Sequence, residues 1–134
     1  MRTFLDTNIF LYAAGGPHPQ KEACTRVLQR VADGTLEATV NSEVLQEILY
    51  VLSRRGRLEE AVRLIGYIAA LFPELLPVGR EDVLEACKLL RQVPGLSVRD
   101  AIHAATMKRN GLKRIISVDP DFDRITGVRR LDPA

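Results

Sequence analysis

Apolar and polar positions along this chain switch repeatedly between two periods. Short apolar runs with the two-residue period of a strand are separated by longer stretches with the 3.6-residue period of a helix. Residues 2–5 form the first strand-like run, and a helical pattern follows at once through Ala14, until Gly15-Gly16-Pro17 breaks it. A second helical stretch covers 19–33 and closes at Gly34. Residues 36–40 alternate and are β-branched enough for a strand. Asn41-Ser42 then offers an N-cap to a helix over 43–55, which Gly56 ends. Another helix over 58–71 stops at Phe72-Pro73, and residues 75–78 are a strand candidate that Pro77 confines to an edge. A helix over 81–93 ends at Pro94-Gly95. Ser97 opens one that runs to Asn110-Gly111, a left-handed stop. Residues 114–118 form a strand, and the tail at 127–131 offers one more.

Alternation of this kind predicts an α/β sandwich with a central, mostly parallel sheet. With 134 residues and no internal repeat, low-complexity segment or linker, the expectation is one domain spanning 1–134. In such folds the ligand crevice lies beyond the carboxyl ends of the strands. Asp6 and Asp119, which follow the first strand and the strand at 114–118, therefore stand at the functional edge.

Composition changes this picture little. The chain is 46% hydrophobic and 27% charged, with a formal net charge of +2, which permits nucleic-acid binding without arguing for it. Cys24 and Cys87 are far apart, and neither has a Cys or His at metal-ligand spacing, so neither a zinc site nor a disulfide framework is expected; both read as small core residues on helices. The first apolar stretch is cut short by Asp6, as no secretory leader would be. The longest apolar run, 64–72, is too short to span a bilayer. The expected compartment is the cytoplasm.

The candidate chemistry lies in four acids. Asp6 opens Asp6-Thr7-Asn8, where it serves either as the N-cap of the next helix or as a metal ligand steadied by the Thr7 hydroxyl and the Asn8 amide. Glu47 borders the apolar stripe Val44, Leu45, Ile48, Leu49, Val51 and Leu52, whereas Glu43 points away with Gln46 and Tyr50; Glu47 is thus the one expected to reach a cleft. Asp100 is the third residue after Ser97, a capping-box position, yet it also lies beside the small face of Ala101, Ala104 and Ala105 that lets a helix press against the sheet. His103, one turn on, reads as its structural partner. Asp119 precedes Pro120 and is either a turn residue or a ligand, with Asp121 as the next candidate.

In order and context, Leu5-Asp6-Thr7-Asn8, Val44-Leu45-Gln46-Glu47-Ile48-Leu49, Asp100-Ala101-Ile102-His103-Ala104-Ala105 and Ser117-Val118-Asp119-Pro120-Asp121-Phe122 closely resemble the PIN-domain ribonucleases, above all the compact VapC-type toxins of toxin–antitoxin pairs. The resemblance spans nearly the whole chain. It implies a three-layer α/β/α sandwich with a parallel sheet and Mg²⁺ or Mn²⁺ as cofactor. Asp6, Glu47 and Asp100 would take the core metal-ligand positions and Asp119 the fourth acidic position. Asn8 and Ser117 match supporting polar positions; Ser117 stands where the family often has Thr, and Val118 where a polar residue is frequent. RNA is the implied substrate, cut by water to leave a 5′-phosphate and a 3′-hydroxyl. An antitoxin protein and a second copy of the chain are the implied partners.

Four carboxylates in one place repel one another. Two unit charges about 4 Å apart cost roughly 4 kcal/mol at an effective dielectric near 20, so a divalent cation is needed to keep all of them ionised near neutral pH. RNA must then meet positive charge at the rim. The candidates are Arg54, Arg55 and Arg57 after the Glu47 helix, and Lys108 and Arg109 before Asn110-Gly111, although cations at helix C-termini also suit the helix dipole. The helix over 58–71 has more than one apolar face, which is either core or a surface for homodimerisation. Two other readings compete. A phosphoacceptor receiver domain would need a mid-sheet acceptor Asp and a late Lys that the strands here do not supply. A non-catalytic PIN-like module binding RNA or protein would keep the fold without turnover.

Overall fold

In the computed structural model, which describes residues 2–134, the amino-terminal apolar run forms β1 (Thr3–Leu5). It lies between β2 (Ala38–Thr39) and β3 (Arg114–Ile116), and β4 (Arg129–Leu131) adds beyond β3. The order is β2-β1-β3-β4, and every pairing is parallel. Phe4 sits opposite Thr39 and Ile115, and Leu5 opposite Ile116, so β1 and β3 end level with each other. Thr3, Phe4 and Leu5 are all buried. Because successive strand side chains point to opposite faces, both faces of the sheet must be covered by helices, which is the three-layer α/β/α arrangement.

Parallel neighbours need crossovers, and the helices supply them. α1 (Thr7–Ala14) and α2 (Lys21–Ala32) join β1 to β2. α3 (Ser42–Arg54), α4 (Leu58–Leu71), α5 (Arg80–Gln92) and α6 (Val98–Arg109) join β2 to β3. They pack mainly as consecutive pairs, α1 on α2, α3 on α4 and α5 on α6. α3 also touches α1 and α6, and that junction is where the site forms.

Local chemistry sets the helix ends. Asn41 Oδ1 accepts from the Val44 N–H at 3.1 Å to start α3, and Ser97 Oγ accepts from the Asp100 N–H at 3.1 Å to start α6. α6 stops at Asn110-Gly111, where Gly111 takes φ +69°, a conformation that suits a residue without Cβ. The core gathers Phe4, Phe10, Phe122, Ile9, Ile48, Ile68, Met107 and Ile115, all fully buried. Among the described residues, no helix is long and apolar enough to cross a membrane.

Several expectations shift. Residues 75–78 are not a strand: only Leu76 bridges, to Asn41, taking the Val40 carbonyl at 2.9 Å and the Ser42 N–H at 2.9 Å. Pro77 has no N–H to continue the ladder, and the Val78 N–H is diverted to Ser42 Oγ at 3.0 Å. β3 ends at Ile116 rather than at residue 118: Ser117 still donates its N–H to the Leu131 carbonyl at 3.1 Å, and the chain bends at Val118. Cys24 is buried as expected, but Cys87 is exposed; both are free thiols.

Candidate metal centre

The level ends of β1 and β3 bring residues 6 and 117–119 together. The Asp6 N–H continues the sheet by donating to the Ile116 carbonyl at 3.1 Å. Asp6 Oδ1 accepts from the Thr7 N–H at 2.8 Å, so the N-cap role is real, and Oδ2 accepts from Ser117 Oγ at 2.6 Å. The same Ser117 oxygen accepts the Asp119 N–H at 3.0 Å. One hydroxyl thus ties the two strand ends to each other. Asp119 in turn caps the 3₁₀ helix Pro120–Arg124, accepting from the Asp121 N–H at 2.9 Å.

The junction of α3 with α1 and α6 adds the rest. Asp6, Glu47, Asp100, Asp119 and Asp121 line one cavity of about 290 Å³, with Asn8, Leu11, Ser97 and Arg99. Asp100, Asp119 and Asp121 offer carboxylate oxygens that all lie within 4.8 Å of one another, so Asp121 stands closer to the centre than a supporting role suggests. Thr7 Oγ1 donates to Glu47 Oε1 at 2.8 Å. His103, fully buried, turns its Nε2 toward this pair, 3.4 Å from Thr7 Oγ1, 3.4 Å from Glu47 Oε1 and 3.8 Å from Asp6 Oδ1. Its close contacts are with Glu47, Thr7 and Asp6 rather than with Asp100, one turn away on its own helix.

Electrostatics follow from burial and crowding. Burial pushes the Asp6 carboxyl above its ordinary value, with the Glu47 charge adding to the push while His103 and the Ser117 hydroxyl oppose it. The Asp100 carboxyl rises to about 8, first through burial and then through the Asp6 and Asp119 charges; a proton kept there is shared with Asp119. Burial would also raise Glu47, but hydrogen bonds from His103 and Thr7 outweigh it and hold the carboxyl below its usual range. His103, which burial alone would keep neutral, is pushed up by the Glu47 hydrogen bond and the Asp6, Glu47 and Asp100 charges.

Whether a hard divalent cation suits these residues can be judged from the donors. All candidate ligands are oxygens. Asn8 Oδ1 is buried at the cavity with no hydrogen-bond partner among the described residues. Asp100 holds its proton through burial first and then through the charges of Asp6 and Asp119. An unsatisfied oxygen and an excess of negative charge both fit such an ion.

Glu43 departs from the helical-wheel expectation. Residues four apart on a helix differ by only about 40°, so Glu43 and Glu47 share a face of α3. Their side chains are 17% and 21% exposed, and Glu43 lies 3.7 Å from Arg99. Glu43 does not line the cavity.

The five expected substrate cations are not gathered at the acids. Arg109 pairs with the buried Asp82 at 2.9 Å, Lys108 with Glu85, and Arg57 with Glu60 at 2.5 Å. Arg54 lies over the Tyr50 ring at 5.5 Å. Arg55 and Arg57 line a small separate cavity that shares only Leu11 with the acidic one. Lys108 and Arg109 sit at the far end of α6 from Asp100, roughly 12 Å along a helix rising 1.5 Å per residue. Arg99, absent from the five, lines the acidic cavity, and Arg124 reaches Asp121 from outside it at 3.5 Å. The adjacency of Arg99 to Asp100 was visible, but its contacts with α3 were not.

Comparison with known proteins agrees with this geometry. The family model described as PIN domain matches residues 3–128. The chain is 35% identical over 130 residues to Ribonuclease VapC13 of Mycobacterium tuberculosis, covering 95% of this chain and 97% of that one. Two solved structures share the fold. The VapC20 toxin of M. tuberculosis, which cleaves the sarcin-ricin loop, superposes with a TM-score of 0.76 at 18% identity, over 91% of this chain and 93% of that one. The DNA-bound VapBC complex of Salmonella typhimurium gives 0.73 at 20% identity over the full length of both chains.

Proposed function

The chain belongs to the PIN-domain family, and from that premise we propose that it is a ribonuclease dependent on Mg²⁺ or Mn²⁺, the toxin of a toxin–antitoxin pair. The observation that carries this reading is the lining of one cavity by Asp6, Glu47, Asp100 and Asp119, drawn from four separate parts of the chain. The ribonuclease named among its relatives, matched over nearly its whole length, supports the substrate.

Of the four expected ligands, Asp6, Asp100 and Asp119 would hold the ion, joined by Asp121 and Asn8 Oδ1 at the same cavity, while Glu47, whose Oε1 is engaged by Thr7 and His103, would act beside it. The chemistry supplied by a bound divalent cation is polarisation of a phosphoryl oxygen and a lowered pKa for an adjacent water. The chain's own side chains do the rest. Ser117 fixes the Asp6 carboxylate and the Asp119 backbone in one register. Thr7 and His103 hold Glu47 Oε1 and keep the carboxyl ionised, leaving Oε2 to take the proton of the attacking water. Leu11 closes one wall with an apolar surface. The resemblance to the PIN-domain ribonucleases implies that water attack leaves a 5′-phosphate and a 3′-hydroxyl.

By the same likeness, the partner in the cell is an antitoxin, as in the toxin–antitoxin complex of Klebsiella pneumoniae, and the compartment is the cytoplasm. Leu58 and Val62, one turn apart on α4, leave an apolar patch about half exposed, which supports self-association as a homodimer; light scattering at micromolar concentration that returned a monomer would remove that part. The activity is tested by incubating purified protein with structured and unstructured RNAs, with Mg²⁺ or with EDTA. Cleavage that needs the cation and vanishes in Asp6→Asn is expected. RNA left intact under every condition, or cleaved equally by the variant, would overturn the reading.

A further inference from the structure

Among the described residues lining the acidic cavity, the positive charge is carried by Arg99. Its guanidinium carbon lies 4.6 Å from the Tyr50 ring centroid, and its Nε lies 3.7 Å from Glu43 Oε1. Arg54 approaches the same ring at 5.5 Å. Glu43, Tyr50 and Arg54 are seven and four residues apart, so they fall within about 20° of one line along α3. A row of guanidinium, aromatic ring and guanidinium therefore runs from the mouth of the cavity up the outer face of α3. The row is open to solvent: Tyr50 is 43% exposed and the Arg99 side chain 33%.

The orientation leaves the useful atoms free. Stacking over a ring employs the face of a guanidinium and leaves its edge donors available. Nε faces Glu43, so the two terminal nitrogens remain for a phosphate, which a planar fork can grip at two oxygens. An ion pair 3.7 Å long between partly exposed groups is too weak to account for the arrangement as a brace. Single-stranded RNA is bound by this combination of phosphate contacts and base stacking on aromatic or guanidinium planes.

We propose that Arg99 binds the RNA phosphate adjacent to the scissile one, and that Tyr50 with Arg54 forms a stacking platform for the neighbouring base, so that the strand leaves the acidic cavity along α3. This rests on the ribonuclease reading and adds the path of the substrate to it. Arg99 is a substrate-binding residue whose effect falls on affinity more than on turnover.

The test uses a short fluorescein-labelled single-stranded RNA. Its binding is read by anisotropy in EDTA across a salt series, and its cleavage in Mg²⁺, with wild type and the variants Arg99→Ala, Arg99→Lys, Tyr50→Ala and Glu43→Gln. Arg99→Ala should weaken binding and raise KM by about tenfold with a smaller change in kcat. The slope of log affinity against log salt should fall by about 0.7, the value of one phosphate contact on a single strand. Arg99→Lys should keep that slope and recover only part of the affinity. Tyr50→Ala should weaken binding about fivefold with the slope unchanged, through lost stacking. Glu43→Gln should bind at least as tightly as wild type, because it frees the guanidinium. Wild-type affinity, KM and salt slope in Arg99→Ala would overturn the proposal. So would a binding defect in Glu43→Gln equal to that of Arg99→Ala, which would mark the pair as a brace between α3 and α6. If Arg99→Ala does not fold, the Arg99→Lys slope and the Tyr50→Ala loss decide. Absence of any cleavage by wild type sinks the ribonuclease reading itself, whereas cleavage indifferent to all four variants sinks only the substrate path.

Discussion

Replacing Asp100 by Asn tests the electrostatic logic of the cavity without RNA. Asp100 and Asp119 offer oxygens no more than 4.8 Å apart. At that separation two full charges repel by about 3 kcal/mol at an effective dielectric near 20. Asp119 and Asp121 are partly open to water, and screening trims the figure to about 1–2 kcal/mol. Asp100 also sits in the first turn of α6, where its charge contributes about 0.5 kcal/mol through the helix dipole. The metal-free variant should therefore be more stable than wild type by about 1 kcal/mol at pH 8, a rise in Tm of roughly 4 °C for a chain of this size.

The pH dependence fixes the sign. In the folded, metal-free protein Asp100 holds its proton up to about 8, whereas its ordinary value is 3.8. Between those limits the folded state binds more protons than the unfolded one, so stability falls as pH rises through that window. Below the ordinary value the two forms of the protein should melt alike. Thermal melts in EDTA at intervals from about pH 3.5 to 8.5 (about one unit apart) read both quantities. Wild type should lose Tm across the series, and Asp100→Asn should lose much less. Saturating Mg²⁺ should reverse the order: at about one hundred times Kd it stabilises the wild type by about 2.7 kcal/mol and the variant far less. If Asp100→Asn melts below wild type at pH 8 in EDTA, with the same slope in pH, Asp100 is a structural capping residue and the repulsion argument fails.

Other outcomes follow from the same geometry. Glu47→Gln should lose cleavage by at least about a hundredfold while its Tm stays close to wild type; retained activity would leave the proton of the attacking water without an acceptor. Ser117→Ala removes a hydrogen bond that lowers the Asp6 pKa, so Asp6 ionises later and the acidic limb of the pH–rate profile should move to higher pH; an unmoved limb would detach Asp6 from the chemistry. Met107→Ala, at the fully buried face of α6, should cost about 2–5 kcal/mol in denaturant unfolding with no change in metal affinity per folded molecule.

Much of this architecture was legible in the chain before folding. β1, the six helices and their caps follow from periodicity and from Asp6, Asn41 and Ser97, because these are local signals. The failures are tertiary. Residues 75–78 have strand composition, yet Pro77 and the Ser42 hydroxyl remove the donors a ladder needs. Glu43 was set apart from Glu47 by a wheel that ranks residues against their own helix alone; the cover on Glu43 comes from Arg99 on α6. Of the five cations at helix ends, Arg57, Lys108 and Arg109 pair with Glu60, Glu85 and Asp82 across or along helices, whereas Arg54 lies over the Tyr50 ring. Nothing local marks Asp82 as the buried partner of Arg109.

The order of the strands explains why acids so distant in sequence share a cavity. From β1 the chain crosses to β2 on one side, then returns over four helices to β3 on the other. The direction of winding reverses between β1 and β3, and at such a point the crossing helices diverge and leave a crevice beyond the carboxyl ends. Asp6 and Asp119 follow those two strands. α3 and α6, which open and close the return path, meet above the crevice and deliver Glu47 and Asp100 into it. The cluster is thus a consequence of topology, whereas its reactivity depends on hydrogen bonds the topology does not dictate. Ser117 and Thr7 occupy both flanks of the crevice, each donating a hydroxyl to a carboxylate from another segment of the chain. Hydrogen bonds from His103 and Thr7 keep Glu47 ionised, whereas burial and the charges of Asp6 and Asp119 leave Asp100 protonated until a cation offsets them.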